Sequence, residues 1–287
     1  MSWTASSFTE DLASQTSDAL ARVRERKPLI HCVTNQVVMN FTANTLYALG
    51  ASPLMSHAPE EAEELARLRA GLLINIGTLT APWLDDVRRI LAAEVAMGSR
   101  RAVLDPVGAG ATHFRTEAAL ELLATGAFRV LRGNAFEILS LGGESARGQG
   151  VESFEESDAA LHAARTLAQK HALVVAVSGA VDLVTDGERV VELRNGHPYF
   201  TKVTGAGCAL NAVIAAMTSV TDDPLLATAQ ALAAFNIAGE IAARNSAGPG
   251  SFAMSFLDAL ANLNPSDITS CLRVEMTSGN VQSEVLP

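Results

Sequence analysis

The sequence predicts an α/β protein with a mostly parallel central sheet and helices on both faces, and three observations carry that prediction. Short Val/Ile/Leu-rich runs alternate with longer amphipathic stretches, the pattern of repeated strand-helix units. The runs are continuously apolar, as expected of strands buried on both faces. Hydrophobic residues make up 48% of the 287-residue chain and charged residues 18%, which supplies a large core and argues against disorder.

The strand candidates, in order, are residues 29–33, 72–76, 102–104, 129–131 and 173–177. The pattern changes after Ser178. There, residues 183–185, the turn Asp186-Gly187 and residues 190–193 read as a β-hairpin, placing antiparallel strands at that edge of the sheet. From Ala206 to Leu263 the chain is almost wholly helical in pattern. It is broken at Asp222-Asp223-Pro224 and at Gly248-Pro249-Gly250, because Pro lacks a donor and Gly tolerates turns. No repeat or Pro/Gly/Ser-rich linker divides the chain, so residues 1–287 are expected to form one domain, frayed near 1–10 and 278–287.

Composition excludes several classes of function. A formal charge of −10 disfavours nucleic acid and anionic membrane surfaces, which are bound through clustered positive charge. The one basic run, Arg22 to Lys27, is expected to be a solvated helix face. Cys32, Cys208 and Cys271 lie far apart with no C-x-x-C, indicating neither a zinc cage nor a disulfide framework. No apolar run is expected to span a bilayer, and no secretory signal pattern opens the chain, so a cytoplasmic location is expected.

Three glycine-bearing turns can carry chemistry. In Lys202-Val-Thr-Gly-Ala-Gly-Cys-Ala-Leu-Asn211 two glycines lead into an Ala-rich helix. Unpaired amides and partial positive charge at such a helix start make an anion hole, and Gly205 and Gly207 let backbone approach an oxyanion. Cys208 sits in the first turn, where the same field is expected to lower a thiol pKa. The plain alternative is a glycine turn with a small buried cysteine. Asp105-Pro-Val-Gly-Ala-Gly110 follows an apolar strand, so Asp105 stands at a C-terminal strand end, where open parallel sheets bind ligands; Asp-Pro also simply begins turns. Arg132-Gly-Asn134-Ala-Phe-Glu137 brings an arginine for phosphates and a carboxylate for Mg²⁺ to the same rim. Asn134 and Glu137 equally fit a capping box, and the two roles are compatible. Ser178-Gly179 adds a hydroxyl at a further strand end.

No P-loop and no complete G-x-G-x-x-G occurs. The histidines at 31, 57, 113, 162, 171 and 197 show no metal-ligand pairing, and no G-x-S-x-G elbow is present. Ordinary structural roles are therefore expected for them.

Taken together these segments resemble the hydroxyethylthiazole kinases, within the ribokinase-like superfamily. The likeness runs from about Leu29 to Phe252. It includes Thr34-Asn35, Asn40-Phe-Thr-Ala-Asn44, Leu49-Gly-Ala-Ser-Pro53 with Met55, Ala58-Pro-Glu-Glu61, Asn75-Ile-Gly-Thr-Leu79, the Asp105 turn through Thr112, Arg132-Gly-Asn134 and Thr204-Gly-Ala-Gly-Cys208. Cys208 is its sharpest discriminator, because most sugar and vitamin kinases of the superfamily carry Asp there. The resemblance implies a three-layer fold and transfer of the ATP γ-phosphoryl group to 4-methyl-5-(2-hydroxyethyl)thiazole, with Mg²⁺ required. It implies that Gly205, Ala206, Gly207 and Cys208 serve catalysis and that Arg132, Ser178, Asn134 and Thr204 meet ATP. Asn35, Met55 and Gly205 would line the thiazole pocket, and Asp105 and Glu137 would serve the metal. It further implies a homotrimer with sites at subunit boundaries. Ser178 departs from the Thr of many relatives but keeps the hydroxyl. Rival expectations are a kinase for another vitamin-precursor alcohol, such as hydroxymethylpyrimidine or pyridoxal, a dehydratase on the same scaffold, and a non-catalytic binding relative.

Overall fold

The computed structural model describes residues 5–143 and 154–278. Among the described residues nine strands form one sheet: β1 (Leu29–Val33), β2 (Ser52–Met55), β3 (Gly71–Asn75), β4 (Ala102–Asp105), β5 (Phe128–Asn134), β6 (Val174–Ser178), β7 (Asp182–Thr185), β8 (Arg189–Leu193) and β9 (Val274–Ser278). Their order is β2-β1-β3-β4-β5-β6-β7-β8-β9. Pairing is parallel from β2 to β6 and antiparallel from β6 to β9.

The apolar runs are continuous because successive side chains enter different layers. Leu73, Val103 and Val130 join a core with helices Ala5–Arg26, Met39–Leu49, Ala206–Thr218 and Pro224–Arg244. Their neighbours Leu72, Ile74, Leu104 and Leu131 join a second core under helices Ala81–Ala96, His113–Ala124 and Phe154–His171. This is the expected three-layer arrangement.

The hairpin forms as read, with Thr185 opposite Val190, and the helical tract breaks at Pro224 and Pro249. Two strands escape the sequence reading. β2 holds only four residues, one of them Pro53, which suits an edge strand whose outer side needs no donor. β9 pairs with β8 some eighty positions earlier, too far apart to show as a hairpin.

The N-terminal helix begins at Ala5, inside the segment expected to fray, and residues 1–4 and 279–287 lie outside the described residues. Two expectations are corrected. The basic run is only partly solvated. Arg22 donates to the Val220 carbonyl at 3.0 Å and Arg24 to those of Leu260 and Ala261 at 3.3 and 3.2 Å, which leaves Glu25, Arg26 and Lys27 exposed. Helix Pro224–Arg244 is long and apolar enough to cross a bilayer, yet 83% of its apolar window is buried inside the protein. Its apolarity follows from packing on other helices and on the sheet.

Candidate functional site

The predicted polar residues meet at the C-terminal ends of the parallel strands, where a strand stops and its side chains no longer need to be apolar. Asn75 ends β3, Asp105 ends β4, Asn134 ends β5 and Ser178 ends β6. Each leads into a turn that opens the next segment.

Gly205 adopts φ +88° and caps helix Ala206–Thr218. A Cβ there would lie 2.8 Å from Val38 Cγ1, so both backbone and packing demand glycine. The Ala206 amide donates to Val203 O at 3.3 Å, and the first helical bond runs from Ala209 N to Gly205 O at 2.8 Å. The intervening amides of Gly207 and Cys208 have no acceptor among the described residues and are available to an anion. Gly207 lies against Arg132, whose Nη1 would be 3.0 Å from an added Cβ. Arg132 donates from Nη1 to Gly207 O at 3.1 Å and from Nη2 to Ser178 Oγ. Its Nε is buried with no partner among the described residues, which leaves that donor unspent beside the helix start.

Cys208 lies at the end of a polar chain. Asn35 Nδ2 reaches Cys208 Sγ at 3.6 Å and Asn75 Oδ1 at 2.8 Å, and Asn75 Nδ2 donates to Asp105 Oδ2. Gly77 leaves room for this, since a Cβ there would stand 2.7 Å from Asn35 Nδ2. Arg115 ties the two rim turns together through the carbonyls of Ile76, Gly77 and Val107.

Burial and charge set the protonation of this chain. Desolvation, then repulsion from Glu137, pushes Asp105 up to about 7. Desolvation, then the nearby Asp105 charge, pushes Cys208 up to about 12. This reverses the expectation that the helix start would lower the thiol pKa: removal from water outweighs a field that acts over one turn. Cys208 is a neutral thiol near pH 7.

Glu137 and Asn134 form the capping box, with Glu137 N–H donating to Asn134 Oδ1 and Asn134 N–H to Glu137 Oε2, both at 2.9 Å. Glu137 Oε1 accepts from Gly108 N at 2.8 Å, which links the Asp105 turn to the Arg132 turn. Each carboxylate oxygen keeps a lone pair. Among the described residues no group of three His, Cys, Asp or Glu gathers as a metal cluster. Mg²⁺ does not need one, since it retains waters and uses one or two carboxylates beside phosphates. Two carboxylates close enough to repel one another, one of them raised first by burial and then by that repulsion, fit a divalent cation.

A cleft of about 610 Å³ opens beside these groups. Arg132, Asn134, Ser178, Ala206 and Gly207 line it, with Asp182, His197, Phe200 and Asn236 further along. Of the predicted site residues these first five line the cleft, whereas Cys208, Asn35 and Asp105 stand in the polar chain. Thr204 is exposed in the turn before Gly205 and is not among the lining residues. Met55 ends β2 beside Cys32, three positions before Asn35, and packs on the core layer that contains the Cys208 helix.

Sequence reasoning assigned no role to Asn75, Asp182, Asn211 or Asn236, all buried and polar at the rim. Asn236 Nδ2 donates to Asp182 Oδ2 at 2.6 Å and Gly179 N to Asp182 Oδ1 at 3.0 Å. Asn75 had a visible signal, an amide closing an otherwise apolar strand; Asn236, inside an Ala-rich helix, had none.

Comparison with known proteins gives consistent results. A family model described as the hydroxyethylthiazole kinase family matches residues 20–266. The chain is 43% identical over 269 residues to a hydroxyethylthiazole kinase of Desulfotalea psychrophila, covering 93% of this chain and 98% of that one. It is 47% identical over 258 residues to one of Rhizobium etli, covering 90% and 99%. A solved hydroxyethylthiazole kinase of Pyrococcus horikoshii superposes with a TM-score of 0.85 at 42% identity, over 92% of this chain and all of that chain. A Staphylococcus aureus pyridoxal kinase in complex with AMP-PCP and pyridoxal shares the fold, with a TM-score of 0.60 at 19% identity over 88% and 99%.

Proposed function

The chain belongs to the hydroxyethylthiazole kinase family, and from that premise we propose how its rim carries out the reaction. The enzyme transfers a phosphoryl group from a nucleotide to the hydroxyethyl side chain of 4-methyl-5-(2-hydroxyethyl)thiazole. Such transfer is mainly positioning and charge stabilisation. The observation that carries the site assignment is the pair of free amides at Gly207 and Cys208 beside Arg132, at the end of the cleft.

ATP occupies the cleft, with its phosphates toward Arg132, Ser178 and the Gly205 to Cys208 helix start; Asn134 and Thr204 flank that path. Asp105 and Glu137 would hold Mg²⁺, directly or through water. When bound, Mg²⁺ supplies charge neutralisation on the phosphate oxygens. The alcohol lies on the other side of Cys208, against Asn35, Met55 and Gly205. Its oxygen forms the new P–O bond as the bond from the γ-phosphorus to the bridging oxygen of the leaving nucleotide breaks. Cys208, a thiol held by Asn35, orients the hydroxyl rather than removing its proton in advance. The proton leaves late, when the attacking oxygen has become acidic, and passes to an oxygen of the transferred phosphoryl group, as a loose transition state permits.

We further place the enzyme in the cytoplasm as a homotrimer with sites at subunit boundaries. The open outer side of β2 supports the assembly, as do Tyr47 and Met254, 66% and 72% exposed on two helices packed together beside that edge. Light scattering would return a trimer mass; a monomer would overturn this part.

The function is tested by offering hydroxyethylthiazole, hydroxymethylpyrimidine and pyridoxal with ATP and Mg²⁺ and identifying products by mass. A dominant thiazole phosphate supports the assignment. Preference for another alcohol overturns the acceptor pocket but keeps the kinase, and no phosphorylated product from folded protein overturns the function.

A further inference from the structure

A second buried polar cluster lies away from the reacting groups, on the opposite side of β1. His31 is fully buried on that strand, facing the layer under helix Ala81–Ala96 while Ile30 and Cys32 face the other. Arg69 Nη1 is 3.1 Å from His31 Nδ1, and His31 Nε2 is 2.9 Å from the Ser56 carbonyl. An arginine only donates, so Nδ1 accepts and the ring proton resides on Nε2, where it donates to Ser56 O. Desolvation, with the Arg69 charge adding to it, brings His31 down to about 4, which keeps the ring neutral as this arrangement requires. Behind it Arg69, 1% exposed, donates from Nε and Nη2 to Glu94 Oε2 at 3.2 and 2.7 Å. Arg101 donates from Nε to Glu94 Oε1 at 3.0 Å.

The chain Glu94, Arg69, His31, Ser56 carbonyl therefore runs from a fixed ion pair to the carbonyl of the residue immediately after Met55. An edge strand has a neighbour on one side only, and β2 ends at Met55. The residues that follow are otherwise held by the hydrogen bond from Ser56 Oγ to Glu61 and by packing of the turn Pro59–Glu61 on helix Ala81–Ala96.

We propose that His31 is a positioning residue for the acceptor alcohol: backed by Arg69 and Glu94, it fixes the Met55-Ser56 segment that forms one wall of the thiazole pocket. The proposal rests on the placement of Met55 in that pocket.

Two substitutions divide the imidazole's two contacts. His31→Asn puts an amide oxygen near the Nδ1 position, satisfying Arg69, but falls short of Ser56. His31→Gln reaches Ser56 with its amide N–H but leaves Arg69 short of an acceptor. The experiment measures KM for the thiazole alcohol, KM for ATP, kcat and melting temperature for both variants and for Met55→Ala. His31→Asn is expected to raise the alcohol KM about tenfold, the worth of one hydrogen bond, with kcat, ATP KM and melting temperature near those of the parent. His31→Gln is expected to melt earlier yet keep the alcohol KM. A purely structural His31 would instead make the alcohol KM follow the loss of melting temperature in both variants, or move both KM values together, and either result overturns the proposal. Met55→Ala separates the two levels. If it raises the alcohol KM while His31→Asn does not, only the role of His31 fails; if it leaves the alcohol KM unchanged, the pocket assignment fails and the proposal with it.

Discussion

Two buried carboxylates in this fold have opposite fates. Glu94 lies in the layer beneath β1 and β3 and Asp105 at the rim, and both are almost fully removed from water. Burial would raise Glu94, but hydrogen bonds from Arg101 and Arg69 overcome it and bring the group down to about 2. Asp105 has amides and a thiol around it and Glu137 nearby, and it rises to about 7. The difference lies in what each burial is matched with. Glu94 is surrounded by committed donors, whereas the rim retains an unpartnered Arg132 Nε, an unpartnered Asn211 Oδ1 and two free amides. Unsatisfied polar groups are costly in a finished core and useful where a charged ligand completes them.

Breaking the satisfied site should produce the largest effect. Glu94→Ala leaves Arg69 charged and buried, and a loss of about 3–5 kcal/mol is expected in urea unfolding. The sign of its pH dependence is fixed. Because the folded-state value of Glu94 is depressed, its contribution is present above its ordinary value of 4.5 and is lost as pH falls through about 2. Parent and Glu94→Gln stabilities should therefore converge on acidification over that window.

At the rim the expected loss is in turnover. Gly207→Val crowds Arg132 and the free amides, and kcat should fall by about 10²–10³ while melting changes little. Parent-like turnover would show that the phosphates pass elsewhere. Cys208→Ser should lower kcat by roughly tenfold, a smaller loss because an orienting thiol contributes less than an anion hole, with ATP affinity unchanged. Equal loss of ATP affinity would place Cys208 on the nucleotide side.

The smallest effect on stability sharpens the contrast. Asp105→Asn removes a charge that folding desolvates, so it should stabilise the magnesium-free protein by about 1–2 kcal/mol while abolishing activity. The gain should be full above pH 7 and fade toward pH 4, because below that range Asp105 is neutral in the folded and unfolded chains alike. A destabilised Asp105→Asn would show that the rim carboxylate is matched as fully as Glu94.

The same contrast explains what could be read in advance. The parallel strands, the hairpin and the rim turns follow local rules, namely continuous apolar runs, Asp-Gly, and glycines opening helices. Asp105, Glu137, Arg132 and Cys208 were legible because strand ends and helix starts mark their positions. The pKa of Cys208 was not, because helix position is local while desolvation depends on everything packed around the thiol. Nor could sequence separate His31 from the other histidines, since its partners come from residues 56 and 69. β2 and β9 were hidden for a related reason: one is too short and the other pairs too far along the chain.

The first helix packs against the last elements. Ala5–Arg26 contacts both Pro265–Cys271 and β9, and Thr9 Oγ1 donates to Val274 O at 3.2 Å. During synthesis this helix emerges well before the segments it packs against. Phe8 and Leu12, buried in the finished core, have no complete docking surface until synthesis reaches that point. The parallel half of the sheet can assemble as it emerges, but this closure comes later, and it makes the early helix a natural client for whatever shields apolar surface on nascent chains.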